Sequence, residues 1–74
     1  MSEVIYTFNR KDITMNMCIQ IRAVVNILME RLQIPFEKAL MLFYHSETDK
    51  TLQNTENGLW AESAEFIADR YFEE

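Results

Sequence analysis

The stretch ITMNMCIQIRAVVNILMERLQ, residues 13–33, decides the fold. At about 100° per residue, Met17, Cys18, Ile21, Val24, Val25, Leu28, Met29 and Leu32 fall on one broad face, so the spacing predicts an amphipathic helix. Asp12 or Thr14 is placed to cap its start, because either side-chain oxygen can accept from the first free amides. Pro35 stops it, since a proline ring disfavours helical geometry at the preceding Ile34. Cys18, between Met17 and Ile19, reads as a small buried hydrophobe rather than a reactive thiol.

The same stretch carries a second apolar row: Met15, Ile19, Ala23 and Ile27, spaced by four. A helix that is apolar almost all round is either central in its fold or covered by something else. Both readings are open. In the second, the row is a partner-binding face, and Met41 and Leu42 on the back of the next helix enlarge it, because exposed Met and aliphatic side chains form adaptable contact surfaces.

Working outward, the single glycine and single proline force few breaks, which favours long helices joined by short turns. Phe36, Ala39, Leu40, Phe43 and Tyr44 predict a second helix to about His45. Ser46 can cap a short third helix over Glu47 to Gln53, with Asp49 near its positive end. Asn54 to Gly58 is a turn by composition, Leu59-Trp60-Ala61 fits an extended segment, and Ser63 caps a last helix to about Phe72 that turns Ala64, Ile67, Ala68 and Tyr71 inward. Val4 to Phe8, β-branched and aromatic, suits a short strand, an extended arm or a helix start, with residues 59–61 as the nearest pairing site. The expected fold is mostly α: a small bundle of about four helices over residues 13–74, preceded by an N-terminal arm at 1–12.

With 74 residues, 8.8 kDa and 49% hydrophobic content, the chain is one small domain, too short for separate cofactor and substrate halves. A domain this size buries only roughly 60% of its unfolded surface, so self-association or another protein partner is a natural source of further stability. One cysteine permits no internal disulfide, and residues 1–8 have neither the basic start nor the apolar stretch of a secretory signal. The chain reads as cytoplasmic. Asn16, Gln20, Arg22, Asn26, Glu30 and Arg31 interrupt the longest apolar run, which argues against a membrane span.

The net charge of −5 is unevenly placed. Basic and acidic residues cancel up to Thr55. Glu56, Glu62, Glu65, Asp69, Glu73 and Glu74 against Arg70 then carry all of it. Such a segment either keeps a small protein in solution or presents Glu65, Asp69 and Glu73 to a basic partner.

Recognisable chemistry is missing. His45 has no Cys or second His at ligand spacing, so no metal site is expected. Ser2, Ser46 and Ser63 lie in no nucleophile motif, one glycine cannot build a phosphate loop, and Glu62 and Glu65 suit a helix start without any acid-base task. No catalytic residue, metal or cofactor is therefore assigned. The second and third helices around Ser46 resemble a helix-turn-helix with 54–60 as a wing, which makes a nucleic-acid-binding regulator the alternative function. Its would-be recognition helix offers Glu47 and Asp49 against Lys50, a poor match to phosphate, so nucleic-acid binding through Arg10, Lys11, Lys50 and Gln53 is the weaker reading.

Ala39 to Ser46, Leu52-Gln53 and Leu59 to Ile67, above all Phe43-Tyr44-x-Ser46 and Ser63-x-x-Phe66-Ile67, resemble domain-of-unknown-function family 3791, a group of small bacterial proteins. The resemblance covers roughly residues 18–74 and consists of structural signatures, an aromatic pair and two caps. Proteins similar to this family are often encoded beside ADP-ribosyltransferase-like proteins, which implies an accessory or antitoxin-like partner role. Two positions depart from the pattern: Pro35 stands where a capping Ser is usual, and Asp49 where an aromatic is common. Proline needs no amide partner in the first turn, so the helix should survive. Residues 1–10 have little counterpart in the family.

Overall fold

Asn9 and Arg10 both take positive φ, 50° and 67°, which is the backbone twist that lets a two-residue loop join paired strands. In the computed structural model, which describes residues 5–74, that loop connects β1 (Thr7–Phe8) to β2 (Lys11–Asp12), antiparallel, with Thr7 opposite Asp12 and Phe8 opposite Lys11. Of the strand, arm or helix start left open for Val4 to Phe8, a strand forms over Thr7 and Phe8 alone, and Val4 itself lies outside the described residues. Its partner differs from the expected 59–61. The chain folds back on itself at once, and the 55–60 region meets the hairpin through side chains: the Thr55 hydroxyl donates to the Thr7 carbonyl at 2.6 Å, and the Phe8 and Trp60 rings meet edge to face at 5.5 Å.

Four helices follow, giving the expected mostly α bundle: α1 (Thr14–Leu32), α2 (Phe36–Tyr44), α3 (Glu47–Gln53) and α4 (Ala64–Glu73). Asp12 serves the start of α1, its carboxylate accepting from the Thr14 amide at 2.9 Å, and hydrogen bonding by the Thr14 hydroxyl and then by this amide holds the carboxyl below its ordinary pKa. The Thr14 hydroxyl oxygen also accepts from the Tyr6 amide at 2.9 Å and ties the arm to the helix. At the other end Gln33 adopts the left-handed conformation, φ 55°, and its amide returns to the Met29 carbonyl. The helix thus closes before Ile34, and extended Pro35 opens α2 without a side-chain cap.

The serine caps form as read. Ser46 Oγ accepts from the Asp49 amide at 3.0 Å, and Ser63 Oγ from the Phe66 amide at 3.1 Å. Between α3 and α4 the chain makes two 3₁₀ turns, Thr55–Asn57 and Leu59–Ala61, separated by Gly58 at φ 77°. Residues 59–61 are therefore coiled, where an extended segment was expected. The Trp60 indole N–H donates to the Thr55 carbonyl at 2.9 Å, and the Gln20 amide reaches from α1 to the carbonyls of Trp60 and Glu62. These bonds satisfy backbone groups that a strand would have left for a partner strand.

α1 is the central element, flanked by α2 on one side and α4 on the other. Met17, Val24, Val25 and Leu28 form its buried stripe, against Ala39 and Phe43 of α2, Leu52 of α3, Leu59, and Ile67 and Ala68 of α4. Among the described residues no helix is long and apolar enough to cross a membrane.

Candidate interaction groove

α1 and α2 are joined by only three residues, so they lie antiparallel as a hairpin. Their outer surfaces diverge over a groove of about 560 Å³. Cys18, Ile21, Arg22, Asn26 and Met29 line it from α1, and Phe36, Leu40 and Tyr44 from α2. Apolar side chains dominate both walls. Tyr44 is 51% exposed and Phe36 is exposed as well, so two aromatic residues of α2 are only partly covered within the chain. Cys18 is exposed too, contrary to its reading as a buried hydrophobe. The reason is angular: Cys18 sits about 100° round the helix from Met17, at the margin where the core ends and the groove begins.

The second apolar row does not behave as one face. Residues spaced by four advance about 40° per step round a helix, so three steps turn the row through about 120°. Met15 and Ile19 are 71% and 62% exposed, Ala23 is half-buried, and Ile27 packs against the core. The row begins in solvent and ends inside. Met15 stands at about the same angle as Arg22 and Asn26 and so extends the α1 rim of the groove. Ile19 leans the other way, lining a shallow hollow with Asn16, Gln20, Trp60 and Ala61.

Met41 and Leu42 also separate, being about 100° apart on α2. Met41, 61% exposed, lies on the α2 rim beyond Tyr44. Leu42 turns to a different hollow with His45, Ser46, Tyr71 and Glu74. None of the apolar residues singled out from the sequence as a partner face lines the groove: Met15 and Met41 stand only at helical angles beside its walls, and Ile19, Ala23, Ile27 and Leu42 turn elsewhere. Of the groove walls that have core spacing, Leu40 and Met29 do pack against the core as well, while Phe36, Tyr44 and Cys18 are exposed. A signal for the groove was present: two neighbouring helices each carry a wide apolar arc, and the two short helices that remain cannot cover both.

The acidic residues Glu65, Asp69 and Glu73 are exposed on α4, beside buried Ile67 and half-buried Tyr71. Asp69 is not free, since its carboxylate accepts from Arg31 of α1 at 2.9 Å. The same guanidinium lies 5.3 Å from the centre of the Phe72 ring, so one arginine clamps α4 to α1 by an ion pair and a cation–π contact. That surface is on the flank of α1 opposite the groove.

A polar cluster ties the arm to α3. The Tyr6 hydroxyl donates to the Gln53 side-chain carbonyl, and the Gln53 amide donates to Asp49 Oδ1 at 3.2 Å. Asp49 is buried, and burial raises its pKa against the opposing effect of the Gln53 hydrogen bond. Burial also raises the Tyr6 phenol. The remaining surface of α3 is sparse: Thr48, Asp49 and Leu52 are buried, and Lys50 is engaged with Glu47 at 3.4 Å. Among the described residues no cluster of His, Cys, Asp and Glu could hold a metal ion.

No protein-family model matches the chain, and neither a curated protein nor a solved structure matches it.

Proposed function

We propose that this protein is a non-enzymatic, cytoplasmic contact module whose α1–α2 groove binds another protein chain. One observation carries the reading: an apolar groove, walled by two exposed aromatic side chains, in a domain that turns much of its limited apolar content outward. Exposed apolar surface of this kind is costly to leave in water, and contiguous patches mark places where another surface docks. The more specific role is that of an accessory or antitoxin-like partner of an ADP-ribosyltransferase-like protein, and it rests on the resemblance of residues 18–74 to family 3791.

The experiment is co-purification from the native host with wild-type protein and Tyr44→Glu as parallel baits, followed by reconstitution from purified components. An ADP-ribosyltransferase-like protein that binds the wild type and is lost with Tyr44→Glu is the expected result. Equal retention by both baits would move the contact away from the groove.

The helix-turn-helix alternative draws no support from α3, whose N-terminal amides are taken by internal oxygens and whose lysine is ion-paired. Sub-micromolar duplex binding that weakens steeply with salt would nevertheless restore it.

A further inference from the structure

We infer that the α1–α2 groove takes an amphipathic helix of another protein, about three turns long, with apolar side chains on the face it buries and a carboxylate on the flank that meets Arg22. The inference rests on reading the groove as a protein-contact surface, and names the chemistry of the partner.

Backbone satisfaction is the first argument. Both walls are helices, whose backbone groups are bonded within each helix, so the groove offers no strand edge. An extended segment laid there would press part of its amides and carbonyls against Ile21, Met29, Phe36 and Leu40 with nothing to bond them, and each such group costs free energy. A helix bonds its own backbone and presents only side chains to the walls. Its length follows from theirs: Cys18 to Met29 rises about 16 Å and Phe36 to Tyr44 about 12 Å, so about eight to eleven helical residues span the groove. Such an occupant turns two or three apolar positions, spaced by three or four, toward the walls.

Charge is the second. Arg22 is the only charged side chain lining the groove, and among the described residues it makes no ion pair. It stands on the α1 wall between Cys18 and Asn26, about one helical turn from each. A wholly apolar occupant would strip water from the guanidinium and leave it unpaired, which is costly. A carboxylate opposite it removes that cost, since the planar guanidinium can donate two parallel hydrogen bonds to the two oxygens. The acidic residues of α4, which would repel such a partner, lie on the far flank of α1.

The test is selection from a display library of helix-constrained peptides of about twelve residues, randomised along one face, against the full 74-residue protein. Enriched peptides are then made in labelled form and titrated by fluorescence polarisation. They should carry apolar residues spaced by three or four with an Asp or Glu on one flank. Arg22→Glu should weaken their binding by at least about tenfold, and replacing the peptide carboxylate by Lys should restore it. Proline at the peptide centre should abolish binding, because it breaks the helix. Tyr44→Glu should do the same with unchanged far-UV circular dichroism. Peptides that tolerate the central proline, or acidic peptides that bind Arg22→Glu as well as wild type, overturn the inference, and so does a selection that yields no binder. The contact-module reading fails separately: proline-tolerant or charge-indifferent peptides that are still lost with Tyr44→Glu refute only the acidic helix, whereas the absence of any binding through Tyr44, by peptide or by host protein, refutes both.

Discussion

The Glu74 carboxylate caps α3 through Thr48. It accepts from the Thr48 amide at 2.9 Å and from the Thr48 hydroxyl, and its other oxygen accepts from the Glu47 amide at 3.0 Å. Ser46 takes the Asp49 amide, so the first three N–H groups of α3 all have partners, two of them supplied from 26 and 27 residues away. A seven-residue helix is too short to be stable alone, and this clasp fixes it to the end of α4.

Glu74→Ala should therefore cost about 0.5–1 kcal/mol, the lower part of the range for helix caps because the carboxylate is exposed. Burial pushes the Glu74 carboxyl upward, but the Thr48 hydroxyl and the amides of Thr48 and Glu47 outweigh it and hold the pKa below the ordinary value. A depressed folded pKa gives stability that is present above the unfolded value and lost as pH falls through the folded one. Thermal melts of wild type and Glu74→Ala should differ at neutral pH and converge in acid.

Asp49 has the opposite sign. Its raised pKa means that the folded state penalises the charged form, so its contribution is most favourable below the unfolded value and declines as pH rises through the folded one. Asp49→Asn keeps an oxygen for the Gln53 amide and removes the buried charge. It should raise the melting temperature at neutral pH and leave it nearly unchanged near pH 3, where Asp49 is protonated in both states. A lower melting temperature at neutral pH would show that the charge is stabilised by something other than Gln53.

Ile19 and Ile27, eight residues apart in one row, should respond differently to the same change. Ile19→Glu places a carboxylate in solvent and should leave circular dichroism and the melting temperature within about 0.5 kcal/mol of wild type. Ile27→Glu puts it against the core and should cost several kcal/mol, enough to unfold a domain of this size. Matching losses for both variants would refute the drift of the row from solvent into the core.

Replacing Glu65, Asp69 and Glu73 by Gln tests the acidic flank. Among the described residues only Asp69 of the three has an ion-pair partner, and exposed pairs are worth about 0–1 kcal/mol, so the loss of stability should be no larger than that. If a basic partner docks there, association should slow and lose salt dependence in stopped-flow measurements. Rates unchanged across a salt series would leave the segment with a solubility role alone.

Residues 13–33, Ser46, Ser63 and Gly58 determined by themselves where helices begin, run and break, because capping, apolar period and positive φ are local properties of the chain. The same locality hid the groove. Phe36, Leu40, Tyr44, Cys18 and Met29 have the spacing of core residues, and whether such a face is covered depends on how much chain is left to cover it. Only the tertiary structure decided that α3 and α4 pack elsewhere, that the strand at Thr7 pairs with Asp12 rather than with residues 59–61, and that Glu74 closes α3. Each of these joins groups brought together by the hairpin angle and the burial of α1. No spacing along the sequence encodes that juxtaposition.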